Sequence, residues 1–384
     1  MVATSQPRGV ADTRRTTFAI IAGGGTAGHV LPGLAIAAAL VARGHDQSSI
    51  HYVGSQGRIE ERLVPEAGYE VTLLPGRGIE RRVTVRNIGA ALGIVRAFGR
   101  AILLVRRHRP RVVVAVGGYA SVAVALAAKL WRIPIVVAEQ NAIPGAANRL
   151  VARFARAAAV SFPDTPLPRA VVTGNPVRPA VLEIDRQRDG AAAKAALGVD
   201  PGRRLVLVTG GSLGALRINK ATIDALDHWK ERADLAVRHI VGNRDWDVIR
   251  ADEHVGATGR LQYLPVHYDD DMARTMAAAD VAVSRAGSST CFELAAVGLP
   301  AVLVPSPYVT ADHQTANARH LVSTGGAVLV RDDEFDGERL VAEVDGLLAD
   351  PAKLEAMAAA MLRFARPKAA DEIAALAEAH ATPR

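Results

Sequence analysis

The sequence predicts an α/β protein of two Rossmann-like domains whose parallel sheets face a central cleft. Three observations carry this. Short runs recur with helical stretches between them, and they are continuously apolar, as strands covered on both faces must be. Two of these runs lead directly into glycine loops that open helices, one near 23–28 and one near 210–215. Finally, 384 residues are too many for one ordinary core and suit two α/β units.

The bulk numbers narrow the function classes. Net charge is +7 and the sequence pI is about 9.8, so an anionic partner is expected: a nucleotide, a lipid phosphate, a membrane surface or a nucleic acid. Aromatic residues make up only 4%. That is few for base-stacking binders and argues against nucleic acid. The lone cysteine, Cys291, allows no intrachain disulfide and fits a cytosolic chain. It follows a glycine turn, but no His or Asn stands beside it in sequence, so a buried helix residue is a better reading than a nucleophile. The apolar run 18–22 is too short for a signal peptide. The longer apolar stretch 112–128 is broken by Gly117, Gly118, Tyr119 and Ser121, so strand, turn and helix are expected there and no membrane span.

Taken in order, the chain starts with a polar tail over 1–16. Strand 18–22 follows, then the loop Gly23, Gly24, Gly25, Thr26, Ala27, Gly28 and His29, then an alanine-rich helix over 32–43. The loop is neither a P-loop nor a good dinucleotide fingerprint. No Gly-Lys-Ser/Thr follows it, and no acidic residue ends the next strand, 50–53. His29 reads equally well as a catalytic base and as a helix-capping histidine. Further strands are expected at 71–74, 112–116, 135–138, 157–160 and 171–173. Gly117-Gly118-Tyr119 and Glu139-Gln140-Asn141 close two of them. Either cluster alone is a turn. With His29 at the same sheet edge, the set reads as a site.

Residues 76–107 differ in character. Eight arginines alternate with apolar residues there, and Trp131-Arg132 is expected to join them in space. A basic rim around apolar groups suits an anionic membrane surface, and an amphipathic helix with a solvated basic face explains the pattern equally well. Gly174-Asn175-Pro176-Val177-Arg178 ends the first domain, 17–180. Arg178 is a candidate diphosphate clamp or a surface arginine.

A charged, alanine-rich linker, 181–202, leads to the second domain, 203–355. It opens with strand 205–209 and the loop Gly210-Gly211-Ser212-Leu213-Gly214-Ala215. Strands follow at 236–241 and 261–264. Asp269, Asp270 and Asp271 fit the first turn of a helix better than a metal site, because no other carboxylate or histidine cluster accompanies them. No metal and no cofactor is expected. The stretch 281–317 is the densest in signals. After a strand and the turn Arg285-Ala286-Gly287, a helix opens with Ser288, Ser289 and Thr290, where unpaired N–H groups and the dipole favour an anion. Glu293, one turn on, suits a ribose. After strand 301–304, Gln314 and Asn317 share one helix face. A phosphate cradle, a carboxylate and two amides thus converge where open α/β sheets bind nucleotides. The last helices, 356–384, are expected to pack back on the first domain.

These pieces resemble the MurG family, the lipid-linked UDP-N-acetylglucosamine transferases of peptidoglycan synthesis. The matching motifs are GGTAGH from Gly24, GGYAS from Gly117, EQN from Glu139, GNPVR from Gly174, GGSLGA from Gly210, the segment from Ser288 to Glu293, and Gln314 with Asn317. Each is modest; their order and spacing are specific. The resemblance implies the GT-B fold, with an acceptor and membrane-side first domain and a donor-binding second domain. It implies inverting transfer of GlcNAc from UDP-GlcNAc to a polyprenyl-diphosphate-linked MurNAc-pentapeptide (lipid I). It places the enzyme peripherally on the cytoplasmic face of an anionic membrane, among other cell-wall enzymes. Donor contacts are implied for Thr26, Ala27, Gly28, Asn141, Arg178, Ser212, Ser288, Ser289, Thr290, Cys291, Phe292, Glu293 and Gln314, with Asn317 orienting the sugar. His29 is the first choice of base and Glu139 the second. Three departures from the family pattern stand out. Ala138 takes the place of a common His, and Ser288-Ser289 that of a small-apolar pair. The segment 265–271 is longer, so the uracil contact is not placed. They leave open a paralogue with another acceptor, a UDP-sugar 2-epimerase, or a catalytically silent partner of cell-wall enzymes.

Overall fold

The computed structural model describes residues 17–75, 86–211, 214–252 and 259–383, with the helix backbone alone over 86–95. The tail 1–16 and the basic stretch 76–85 lie outside the described residues. Seven parallel strands form the first sheet: β1 (Ala19–Gly23), β2 (Ile50–Ser55), β3 (Glu70–Leu74), β4 (Val112–Gly117), β5 (Ile135–Glu139), β6 (Ala157–Val160) and β7 (Ala170–Val172). Their order in space is β3-β2-β1-β4-β5-β6-β7. Six parallel strands form the second: β8 (Arg204–Thr209), β9 (Leu235–Ile240), β10 (Gln262–Val266), β11 (Val281–Ser284), β12 (Ala301–Leu303) and β13 (Ala327–Leu329), ordered β10-β9-β8-β11-β12-β13. The central strands are buried along their length, as the runs AIIAG and VVVAVG require.

Each order reverses once, between β1 and β4 and between β8 and β11. At such a point the two flanking loops diverge and leave a crevice. The glycine loops follow β1 and β8, Gly118 follows β4, and Arg285 follows β11, so all four meet at the two crevices. The register of β1 against β4 also shifts between Ala22 and Gly23, at the rim. The helix after β1 runs Ala27–Ala42 and starts earlier than its proline suggests, with Pro32 inside it. Proline favours a helix's first position, which points a sequence reading to the later start. Ala27, Gly28 and His29 therefore stand in the first helical turn.

The halves are joined by a shared core. Phe162 from the first half packs edge-on against Phe292 from the second, with ring centres 5.1 Å apart, and Phe364 closes the cluster 5.2 Å from Phe292. The helix Pro351–Phe364 packs on the helix Ser288–Ala296. The chain then returns, and the helix Ala369–His380 packs on Ala27–Ala42. Arg43 clamps this return through Asp371 and Glu378, each at 2.8 Å. On the first domain's outer face, Leu103, Leu130 and Trp131 are exposed, and the Arg106 guanidinium lies 5.9 Å over the Trp131 ring. Trp131 thus joins the basic helix Arg86–His108. No helix among the described residues is long and apolar enough to cross a membrane.

Two buried histidines make the fold acid-sensitive. His239 on β9 sits between the Tyr263 hydroxyl, 2.8 Å away, and Asn219 Oδ1, 3.0 Å away, and burial holds its pKa at about 3. His51 is held at about 4 by burial and by His108 beside it. In the unfolded chain both titrate at about 6.5. Below that value the unfolded chain takes up protons that the fold refuses. Stability is therefore full above about pH 6.5 and falls as pH drops towards those lower values. The urea midpoint is expected to be lower at pH 5 than at pH 7.5, and His51→Gln is expected to flatten that dependence. A midpoint that does not change with pH over this interval contradicts the account.

Candidate active site

The loops at the two switch points face each other across a cavity of about 1370 Å³. Residues 26–29 form part of one wall; Gly210, Gly211, Gly214, Ser288, Ser289 and Thr290 form part of the other. Among the helices that start at it are Ala27–Ala42, Leu216–Trp229 and Ser288–Ala296. None of these three has a side-chain cap and none has an acid in its first turn. Their free N–H groups and positive dipole ends are left for an anion.

On the first wall, His29 Nδ1 lies 3.2 Å from Thr26 Oγ1. The two glycines at the end of β4, Gly117 and Gly118, back this loop. Gly117 has φ 105°, and a Cβ there would come 2.9 Å from His29 Nε2; at Gly118, φ 82°, it would come 2.6 Å from the Gly24 carbonyl. No side chain fits either place. Burial lowers the His29 pKa from its ordinary 6.5, against the opposing pull of Glu139, Glu60 and the Gly24 carbonyl. The ring is neutral at pH 7, the state a general base needs.

Glu139 has a different task from the one expected. It is buried, accepts from the N–H groups of Asn141 (2.9 Å) and Gly145 (3.0 Å) and from Asn148 Nδ2 (2.9 Å), and stands outside the cavity wall. Its oxygens shape the turn that carries Asn141, which turns the expected second-choice base away from the cavity.

On the second wall, Ser288 donates from Oγ to the Gln140 carbonyl across the domain boundary. Ser289 and Thr290 are half-buried at the cavity. Cys291 and Phe292 are corrections: both are fully buried in the core, and burial pushes the Cys291 thiol up to about 12. Six successive helical residues cannot share one face, since side chains turn with a period of 3.6. Glu293, 8% exposed, is held by Arg178 in a two-pronged pair at 2.6 and 3.0 Å. The residues expected as diphosphate clamp and ribose acceptor are thus each other's partners, and both stand behind the residues that line the cavity. Asn317 is fully buried and does not reach the cavity. It accepts from Ala142 N–H (2.9 Å) and donates to Asn141 Oδ1 (3.2 Å) and the Ala286 carbonyl (3.1 Å), tying the domains together. Asn141 and Gln314 line the cavity, and Gln314 Oε1 accepts from Ser306 N–H at 2.8 Å. Ser212 lies outside the described residues.

Among the described residues no group of three or more His, Cys, Asp or Glu could hold a metal ion. Asp271 caps its helix through Arg274 N–H, and Asp269 takes the Thr275 hydroxyl at 2.7 Å. Gln140 and Tyr308 are among the wall residues that the sequence reading missed as individuals. Gln140 is buried at the cavity with its Oε1 unpartnered, and Tyr308 is 90% exposed at the wall. Gln140 stood inside a flagged cluster; Tyr308 carried no signal.

Residues 19–160 match the glycosyltransferase family 28 N-terminal domain and residues 205–373 the glycosyltransferase family 28 C-terminal domain. A UDP-N-acetylglucosamine–N-acetylmuramyl-(pentapeptide) pyrophosphoryl-undecaprenol N-acetylglucosamine transferase of Nocardioides sp. is 41% identical, covering 92% of this chain and 95% of its own. One of the same name from Desulforudis audaxviator is 38% identical, covering 92% and 96%. The crystal structure of Acinetobacter baumannii MurG superposes with a TM-score of 0.76 at 26% identity, covering 94% of this chain and 99% of its own. The chain belongs to the MurG family. The two parallel sheets facing one cavity are the GT-B fold that membership implies. The departure from the MurG family pattern at Ala138 falls in the core: its side chain is 2% exposed, and its carbonyl accepts from Gln140 Nε2 and Asn148 Nδ2.

Proposed function

We infer that this chain transfers N-acetylglucosamine from UDP-N-acetylglucosamine to the 4-hydroxyl of N-acetylmuramyl-(pentapeptide) pyrophosphoryl-undecaprenol, with inversion at the anomeric carbon. The observation that carries this is the shared cavity: a neutral imidazole on one wall and uncapped helix N-termini on both. The acceptor oxygen attacks the anomeric carbon and its proton passes to His29. The bond from that carbon to the diphosphate oxygen breaks, and UDP leaves with the electron pair. Charge grows on the diphosphate, where the N–H groups at the start of Ser288–Ala296 and Leu216–Trp229 already point. Gln314 orients the sugar.

The lipid acceptor arrives at the first domain. Exposed Leu103, Leu130 and Trp131, with Arg96, Arg100, Arg106 and Arg107 around them, support peripheral docking on the anionic cytoplasmic face of the membrane. UDP release by the purified chain is expected only when both UDP-N-acetylglucosamine and lipid I are present. Conversion of the donor to its 2-epimer without acceptor would identify an epimerase. Nucleotide binding without turnover would identify a silent partner, and release with a different acceptor a paralogue. Each of these three outcomes overturns the reading.

A further inference from the structure

Glu60 is a fully buried carboxylate with no hydrogen-bonded or ion-paired cation among the described residues. Burying a carboxylate costs several kcal/mol unless donors replace its water. Here the donors are backbone. Gly25 N–H faces both of its oxygens at 3.0 Å, and Ser55 N–H reaches Oε1 at 2.9 Å. The two glycine positions beside it are shaped to it: a Cβ on Gly24 would lie 2.0 Å from Oε1, and one on Gly54 2.4 Å from its Cγ. The first glycine loop is moulded on this one side chain.

The loop's geometry gives that carboxylate an outlet. Gly25 N–H and the Gly24 carbonyl belong to one planar peptide. The N–H end meets Glu60, and the carbonyl end faces the Gly117–Gly118 turn beside the His29 ring: the Gly118 Cβ position is 2.6 Å from the Gly24 oxygen and the Gly117 Cβ position 2.9 Å from His29 Nε2. A negative charge on the N–H end polarises the unit and strengthens the carbonyl as an acceptor. We propose that Glu60 is the positioning residue for His29, acting through the Gly24–Gly25 peptide. It holds the peptide so that its carbonyl fixes which ring nitrogen carries the proton, leaving the other nitrogen's lone pair for the acceptor hydroxyl. The logic is that of a carboxylate orienting a catalytic histidine, with a peptide between the two. This rests on the reading of His29 as the base. The other groups that bear on the ring are Glu139 and His313, and Tyr52 bears on Glu60.

Glu60→Gln is nearly isosteric and removes the charge. It is expected to fold, to bind UDP as the parent does, and to lose kcat roughly tenfold or more through misplacement of the base. The His29 ring, followed by nitrogen NMR, is expected to titrate at lower pH, because an attractive negative charge is gone. In a His29→Ala background the same substitution is expected to change kcat less than twofold. A purely structural Glu60 would lower activity in both backgrounds and leave the ring's titration unmoved; either result overturns the proposal. If the Gln variant does not fold, Glu60→Asp keeps the charge, and the same titration is read there: a ring that still titrates as in the parent supports the proposal, and one that shifts downward overturns it. Should His29→Ala prove fully active, the base assignment falls, and the shift of the ring in Glu60→Gln still decides the coupling.

Discussion

His29→Ala is expected to lower kcat by about two to four orders of magnitude and to leave the KM for UDP-N-acetylglucosamine within a few-fold. The acceptor hydroxyl is a poor nucleophile until a base takes its proton, so the loss belongs to the chemical step. The competing assignment, a helix-capping histidine, predicts something else. As a cap His29 would contribute its bond to Thr26 Oγ1 at 3.2 Å, and losing a single exposed bond costs stability by about 1 kcal/mol and spares kcat. The pH profile separates the two further. Burial sets the ring's pKa below 6.5, so the base is neutral at and above neutrality and becomes protonated only as pH falls past that lowered value. The acid limb of kcat/KM is therefore expected to lie below about pH 6.5 in the parent and to be absent from the residual activity of the variant. An active His29→Ala with an unchanged acid limb returns His29 to the cap.

The residues show which part of the site a sequence can carry. Gly24, Gly117 and Gly210 were legible because each marks a strand end where a side chain has no room, and strand ends follow from apolar period. Side-chain direction on a helix was not. Ser288 and Phe292 belong to one motif, yet one borders the cavity and the other fills the core. Contacts across the domain boundary were further out of reach. Asn317 and Asn141 are 176 positions apart and bond at 3.2 Å, and nothing in either neighbourhood announces the other. Glu60 shows the limit most plainly. In sequence it is an acid in the first turn of a short helix beside Glu61, an ordinary surface pattern. Only the fold turns Glu60 into the core, beneath a loop 35 positions earlier.

Glu293→Ala is expected to raise the KM for UDP-N-acetylglucosamine roughly 10- to 100-fold, the cost of one or two hydrogen bonds to a charged acceptor at about 1.4 kcal/mol per decade. The pair with Arg178 makes this a sharper test than an exposed carboxylate would give. Both residues lie at the boundary between the domains, and Glu293 is the more deeply placed of the two: side-chain exposure is 10% for it and 38% for Arg178. If Glu293 grips the ribose when the donor binds, the pair must open or share its carboxylate, and Arg178 is released towards the diphosphate. Arg178→Ala then raises the same KM, and the double variant raises it by less than the two effects combined, because they act on one event. If the pair is only a strut, neither KM moves. Arg178→Ala then costs more stability than Glu293→Ala, because it strands the deeper charge without a partner. Donor KM and urea midpoint, measured on the same three variants, therefore assign the pair to binding or to domain attachment. An unmoved KM in Glu293→Ala removes the ribose role outright.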